Sequence, residues 1–552
     1  MQSQRPQQAI PRSSDLVSHA KSGSNCPETS RSKKILAAVA LLIAAISSSF
    51  LWSISSPSGA SPDEPSHIHY AWGVISGQVF PWTLVQETSD SGASLAVITM
   101  PEKLEQLAPP SCYIGKAYED ECDPAIRGDG EITTTSYMAR YPLLYYAVVG
   151  SFMKLGLSIG LSGFSTLILG RIASGMLSYF MIAYAAVLMK KRFGIYGATI
   201  PLIALLVPNA HFLMNSINPN GFEIAASAAL AATVVAVIHD IHVHAQVSAR
   251  LQVLLVSLVL VAGWIRPLSV AWTGLLLLLL ILPIGRKRPA FLQLSKVTVI
   301  AILLLAGFLL SWFYWEATGT RTETTQGDIS DWRGLPKWLQ LGVVLSRFGE
   351  LVQNGYGLLG WADTQLPIFS LILWLIVCAV TLAQFAAAKH SSIFGSKVSL
   401  GYLIGSMLVV TVESIYAGFG WQGRYWIPAI AIALVLLTPN LTGAALSSRH
   451  KRTSWLTLQI ITTLLIVHAL IYNLWRYQYG LRTPFVRFSA LPFPTAGAEW
   501  SPAGGERLFY AVLAIGLLSY FLYVFLVVRL NRGAEKLFRG NLMNVSTAKT
   551  LQ

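Results

Sequence analysis

The chain has 552 residues, 53% of them hydrophobic and only 12% charged, and a soluble core of ordinary domain size cannot hide that much apolar surface. A soluble globular protein is therefore excluded and a bilayer is implied. The net charge of +14 does not point to nucleic acid, because the basic residues stand in short clusters between apolar runs instead of on one polar domain, so no nucleic-acid partner is expected.

Residues 1–30 are polar and are expected to form a disordered cytoplasmic tail. The first apolar run, 35–54, follows Arg31, Lys33 and Lys34, exceeds a signal-peptide core and lacks a small-residue cleavage site, so it reads as a retained anchor. Just beyond it stands Ser61-Pro62-Asp63-Glu64-Pro65-Ser66-His67-Ile68-His69-Tyr70, which sets two carboxylates and two imidazoles at the membrane border, where a membrane enzyme places its acid or base. Ser61, a following proline and Glu64 three residues on match a helix capping box. The helix it predicts runs to about residue 76, with Ile68, Trp72 and Ile75 on one face and Gly77 as its stop, and lies at the membrane surface. Asp63 and His67, four apart, share a face. His67 and His69, two apart, diverge, which favours interfacial hydrogen bonding over a shared metal.

The remainder of the first loop, 55–140, mixes Pro, Gly, Thr and charge without period and is expected to hold short helices and irregular chain. Cys112 and Cys122 share it and can close a small ring in an oxidising compartment, while Cys26 and Cys378 look unpaired. Arg140 opens a further apolar run, 141–161, that carries Lys154.

Later runs of spanning length lie at 164–189, 195–214, 221–238, 251–265, 267–284, 297–315, 366–388, 398–418, 425–446, 455–474 and 508–528, for about twelve crossings with the first. If 141–161 is not a crossing, Lys190-Lys191-Arg192, Arg250, Arg286-Lys287-Arg288, Lys389 with Lys397, Arg449 with Lys451-Arg452, and the C-terminal arginines all fall inside. The run 141–161 is accordingly expected to be re-entrant or interfacial, both termini cytoplasmic, and 55–140, 316–365 and 477–507 outside. Residues 31–530 form the membrane domain and 531–552 a cytoplasmic tail. Within 316–365, a helix over 335–351 is expected at the membrane surface.

That topology gathers further polar residues on the outer side. Asn218, Asn220 and Glu223 lie in Asn218-Pro219-Asn220-Gly221-Phe222-Glu223, whose plain reading is an Asn-Pro turn with a carboxylate at a helix N-terminus. Arg266 sits in a tight connection where a guanidinium can snorkel or hold a phosphate. The aromatic belt accounts for Trp361 but not Asp363. Gln422 and Arg424 follow Glu413, and a structural pair between Glu413 and Arg424 competes with a functional role.

Pro62-Asp63-Glu64-Pro65 with His67, Asn218-Pro219-Asn220-Gly221-Phe222-Glu223-Ile224, Gly360-Trp361-Ala362-Asp363-Thr364 and Gln422-Gly423-Arg424-Tyr425 together resemble the bacterial membrane-protein family known as domain of unknown function 2142, over about 35–530. That family in turn resembles the glycosyltransferase C (GT-C) superfamily. The resemblance implies an all-α polytopic bundle of about twelve transmembrane helices plus one re-entrant or interfacial segment, an acidic motif in the first outer loop, and a polyprenyl-phosphate sugar donor. It makes Asp63, with Glu64 beside it, the catalytic base or metal ligand.

No Rossmann or phosphate-loop glycine pattern for a sugar nucleotide is visible, and a lipid-linked donor needs none. The expected protein is a glycosyltransferase of the bacterial plasma membrane that moves a sugar from a polyprenyl-phosphate carrier to an envelope glycan, lipid or protein. A divalent cation, Mg or Mn, is compatible with this chemistry. Arg140, Arg266 and Arg424 are candidates for the donor phosphate; His67, Asn218, Asn220, Glu223, Asp363 and Gln422 complete the substrate-binding set. A transporter or lipid flippase is the alternative, ranked second because the charges lie at helix ends instead of near the midplane. A non-catalytic scaffold ranks third.

Overall fold

The computed structural model describes residues 27–79, 87–88, 94–105, 128, 130–139, 141–281, 290–319, 335–387, 394–417, 422–439, 448–480 and 500–550. Cys26, Cys112, Cys122, Arg140 and most of the expected N-terminal tail lie outside them. The chain divides into two compact units, residues 1–47 with 511–552 and residues 48–510.

The elements are α1 (Pro27–Ile54), α2 (Glu64–Ile75), β1 (Glu87–Thr88), β2 (Ser94–Pro101), β3 (Glu131–Ser136), α3 (Leu143–Ser158), α4 (Gly163–Leu205), α5 (Pro208–Met214), α6 (Pro219–His244), α7 (Ala249–Gly263), α8 (Pro267–Ile281) and α9 (Lys296–Gly319). They continue as α10 (Lys337–Ser346), α11 (Phe348–Gly357), β4 (Leu358–Leu359), β5 (Thr364–Gln365), α12 (Ile368–Ala387), α13 (Phe394–Ala417), α14 (Ile427–Leu436), α15 (Ser448–Tyr479) and α16 (Gly505–Thr550). Among the described residues seven helices are long and apolar enough to cross a membrane, and five shorter apolar helices accompany them. The chain is a multi-pass, predominantly helical membrane protein.

At the centre of the larger unit runs α6, whose first twenty residues are all buried. Its alanines, seven of them from Ala225 to Ala236, let α4 and α14 approach closely, which is how apolar helices associate when lipid removes the usual hydrophobic drive. Burial on every side of a helix also fixes its N-terminus, and that end carries Asn218, Asn220 and Glu223.

Several expectations change. The capping box does not form: α2 starts at Glu64, Asp63 is its N-cap in the left-handed region (φ 62°, ψ 2°), and no side chain caps the end. The Glu64 carboxylate that a box would fold back onto Ser61 is held elsewhere, by Arg171. The first loop is not only short helices and irregular chain, because β1, β2 and β3 form an antiparallel sheet in that order. In β2, Ala96, Ile98 and Met100 are buried, a period of two that pairs with β3 about thirty-five residues away: Ala96 opposes Ser136 and Pro101 opposes Glu131. The sheet packs on α2, where Val79 and Ile98 crowd Gly73.

The runs 164–189 and 195–214 are carried by one long helix, α4, broken at Gly194 (φ 70°, ψ 172°), followed by the separate α5. The run 425–446 yields a 3-10 turn, Gly423–Tyr425, and the ten-residue α14. The surface helix expected over 335–351 is two, α10 and α11, hinged at Arg347. Helix α3, 16 residues, spans about 24 Å. It packs against α2, with the Ala71 carbonyl directly on Gly150.

Candidate active site

The two neighbouring acids of the first loop have opposite surroundings. Glu64 is fully buried and uses both oxygens: Arg171 of α4 donates to Oε1 from Nε (2.8 Å) and to Oε2 from Nη2 (2.6 Å). Backbone N–H groups of Gly59 (3.0 Å to Oε2) and Ile217 (2.9 Å to Oε1) complete it. Arg171 also donates to the carbonyls of Ser53, Ser56 and Pro57 at 2.6–2.9 Å. This bidentate pair therefore ties the end of α1, the loop 55–60, α4 and the loop before α6 to one point.

Asp63 retains 29% side-chain exposure. The Tyr137 hydroxyl, from the turn after β3, donates to Oδ1 (2.7 Å), and Arg424 of the 3-10 turn donates to Oδ2 from Nη2 (3.0 Å). The competing pair of Arg424 with Glu413 is not made, since the carboxylate partner of Arg424 is Asp63. Left-handed backbone at a non-glycine costs roughly 1–2 kcal/mol, and Asp63 is kept there by what flanks it: Glu64 after it, and Pro62 before it, whose carbonyl accepts from Asn218 Nδ2 (2.8 Å). Burial pushes the Asp63 carboxyl up, but Arg424 above all, with the Tyr137 hydrogen bond and Arg266, outweighs it and holds the carboxyl below its ordinary range.

The Arg424 guanidinium is only 7% exposed, and among the described residues its Nε and Nη1 have no hydrogen-bond partner. Buried donors left without acceptors are rare. Arg266 lies on the same Tyr425 ring, its Cζ 4.9 Å from the ring centroid against 5.0 Å for Arg424, so the aromatic ring brings two like charges together. Arg266 is more fully engaged: it donates to Asn220 Oδ1 and pairs with Glu223 Oε2 at 3.4 Å, while Ser269 donates to Glu223 Oε1 at 2.7 Å.

The other expected residues distribute as follows. Asn218 caps α6 by accepting from the Asn220 N–H (3.0 Å). His67 is buried, shares a hydrogen bond with the Tyr146 hydroxyl (2.8 Å), and is pushed down to about 3 chiefly by burial, with Arg266 and Arg424 adding to that against the pull of Asp63. It is a neutral packing group near Asp63. His69 diverges to Glu105 (2.7 Å). Asp363 stands beside the loop 55–60 in a second cluster, accepting from Thr364 Oγ1 (3.0 Å) and 4.0 Å from Arg476, with Trp361 donating to the Gly59 carbonyl (2.8 Å). Gln422 flanks the 3-10 turn and is half-buried. Arg140 lies outside the described residues.

Sequence reasoning missed Arg171, Tyr137 and Ser269, and quoted Tyr425 in the Gln422-Gly423-Arg424-Tyr425 motif without giving it a role. Arg171 had a legible signal, a lone cation inside a long apolar run, which demands a buried acid. Tyr137 had none. Around Asp63 the donor set is one carboxylate between a guanidinium and a hydroxyl, and among the described residues no three His, Cys, Asp or Glu side chains converge. A divalent cation asks for several oxygen ligands, so these residues do not fit one.

No curated protein matches the chain. Among solved structures it is similar to ArnT from Cupriavidus metallidurans bound to undecaprenyl phosphate (13% identity, 90% of this chain and 76% of that chain, TM-score 0.42) and to the same protein in the apo state (14%, 90% and 75%, 0.41). It is also similar to an Archaeoglobus fulgidus oligosaccharyltransferase in complex with Zn and sulfate (11%, 83% and 59%, 0.30). Residues 48–433, which include Asp63, Glu64, Arg266 and Arg424, match the family described as "Predicted membrane protein (DUF2142)", and the chain belongs to that family.

Proposed function

We propose that this chain is a membrane glycosyltransferase that moves a sugar from a polyprenyl-phosphate carrier to a hydroxyl of an envelope glycan, lipid or protein, at the extracytoplasmic face of a bacterial plasma membrane. The observation that carries the reading is the pairing of a partly exposed carboxylate, Asp63, with a buried guanidinium, Arg424, that has two donor nitrogens to spare. The motif resemblance to GT-C proteins supports it.

On this reading Asp63, ionised at neutral pH because its carboxyl is held low, takes the proton of the acceptor hydroxyl as that oxygen attacks the anomeric carbon. The bond from anomeric carbon to phosphate oxygen breaks and its electron pair stays on the phosphate. Nε and Nη1 of Arg424 are free to meet the charge that develops there, with Arg266 on the same Tyr425 ring. Charge in the site is conserved, since the carboxylate loses one negative charge as the phosphate gains one. Glu64 positions Asp63 without touching substrate. Asn218 and Asn220, committed to Pro62 and Arg266, shape the site, and Gln422 and Asp363 are the candidates for reading sugar hydroxyls. The residues present give no step to a divalent cation.

The test is transfer from radiolabelled polyprenyl-phosphate sugars by the full chain in nanodiscs. Asp63→Asn should still fold, with a lowered melting temperature because Arg424 loses its counter-ion, and lose transfer; transfer retained by a folded Asp63→Asn protein refutes the base. Cysteine labelling from outside spheroplasts should reach residues introduced at 61–70, and labelling only after permeabilisation refutes the proposed face.

A further inference from the structure

Beside the 3-10 turn that carries Arg424 lies a cavity of about 190 Å³ that the proposed chemistry does not use. Its walls are the C-terminal end of α4 (Leu205), α11 (Val352, Gly355), α12 (Trp374, Cys378) and α14 (Ile430). Of its fourteen lining residues only Tyr356, Trp374, Cys378 and Thr381 carry a side chain able to form a hydrogen bond. Thr381 returns its hydroxyl to the Val377 carbonyl (2.7 Å), and the Tyr356 ring stacks on Trp374 with centroids 5.0 Å apart. Such a space stays dry and accepts hydrocarbon; an apolar cavity of about 150 Å³ takes up a benzene-sized molecule.

The cavity and the cation share a wall. Gly423, the residue before Arg424, packs on the Leu351 carbonyl and the Gly355 N–H of α11 so closely that no Cβ could stand there. Three residues after Arg424, Ile427 begins the row Ile427, Ile430, Leu434 and Leu437 that lines the cavity for about 15 Å along α14. The chain that carries a guanidinium with unfilled N–H donors thus reaches, three residues on, the first residue of a hydrocarbon-sized slot. We propose that this cavity holds the first one or two isoprene units of a prenyl phosphate whose phosphate is bound by Arg424. The phosphate end rests on the function proposed above; the location of the chain, between α4, α11, α12 and α14, is new.

The geometry assigns a division of labour. The lipid is recognised twice, by charge at the 3-10 turn and by apolar burial below it, and Gly423 and Gly355 set the two sites at a constant separation. A sugar phosphate without a chain loses the second contact, and a neutral prenol loses the first.

Photoaffinity labelling of the full chain in nanodiscs tests this, using farnesyl phosphate that carries a diazirine on its first isoprene unit. Adducts mapped by peptide mass spectrometry should fall in 352–356, 374–382 and 427–437. Unlabelled farnesyl phosphate at ten times its Kd should lower them about ten-fold by mass action, whereas inorganic phosphate should not. Ile430→Trp, which fills the slot, should remove these adducts while a thermal melt reports an intact fold. Adducts scattered over lipid-facing helices, adducts unaffected by Ile430→Trp, or equal competition by dodecyl phosphate would overturn the proposal, the last because it marks an acyl-chain site of the bilayer. Arg424→Gln should weaken competition by farnesyl phosphate and leave farnesol unchanged. If farnesol competes as well as farnesyl phosphate and Arg424→Gln changes neither, the chain site stands and the phosphate role of Arg424 falls, a result separate from loss or retention of transfer in Asp63→Asn.

Discussion

Asp63 and Glu64 are adjacent, each meets an arginine from a distant part of the chain, and they differ in almost everything else. Glu64 is sealed: four donors reach its two oxygens and its partner Arg171 spends its remaining donors on carbonyls. Asp63 is open, with one donor on each oxygen, solvent access, and a partner holding two donor nitrogens unfilled. A saturated buried pair resists chemistry, since a proton or ligand must first break it; an unsaturated pair can receive both. Two carboxylates at one helix start therefore separate into anchor and reactive group by the completeness of their hydrogen bonding.

The contrast can be broken from either side. On the open side, Asp63→Asn should lower transfer by about 10²–10⁴-fold in a protein that still folds, with a melting temperature lowered less than by the change at Glu64 because Asp63 is partly exposed, read by sugar transfer and a thermal melt on the same preparation. On the sealed side, Glu64→Gln leaves the Arg171 charge buried without its counter-ion and should cost about 3–5 kcal/mol, read as a drop in melting temperature and yield. If instead Glu64→Gln melts like the parent and only transfer is lost, the two roles assigned here are reversed.

Smaller changes sharpen the difference. Gly423→Ala places a methyl against the Leu351 carbonyl and the Gly355 N–H, so the 3-10 turn must shift and Arg424 with it. Transfer should fall by about 10-fold or more, as misplacement of a catalytic group by an ångström does, while Glu64 and its stability contribution are untouched. Smallest is Tyr137→Phe, which removes one of the groups that lower the Asp63 carboxyl. A carboxyl held low is ionised above its folded value, so activity should persist through mildly acidic pH and be lost as pH falls through that value. Without the Tyr137 hydroxyl the acid limb of the rate profile should move to higher pH, and an unmoved limb would mean that Asp63 is not the group titrating. The attraction between Asp63 and Arg424 likewise contributes stability that is present above the unfolded carboxyl's range and disappears as pH falls through the folded one, an increment that Arg424→Gln should erase.

Much of this was readable from local pattern. The apolar runs predict the helices because a bilayer demands long uncharged stretches, and Gly77, at φ 74°, ends α2 where its glycine predicts. Elements were misjudged where a distant contact prevailed. The Ser61 capping box gives way because Arg171, 107 residues on, offers Glu64 a better partner than a backbone N–H. The sheet of the first loop went unseen, although Ala96, Ile98 and Met100 alternate along β2, because β3 pairs with it from about thirty-five residues away.

By itself the sequence determined that the chain lives in a membrane, which segments are helical, and that Pro62-Asp63-Glu64-Pro65 stands at the border of the first helix, since composition and period are properties of neighbours. Only the tertiary structure decided that Asp63 meets Arg424 across 361 residues while Glu64 meets Arg171, because which charge neutralises which is settled by the packing of α6 against α4 and α14 and by no periodicity along the chain.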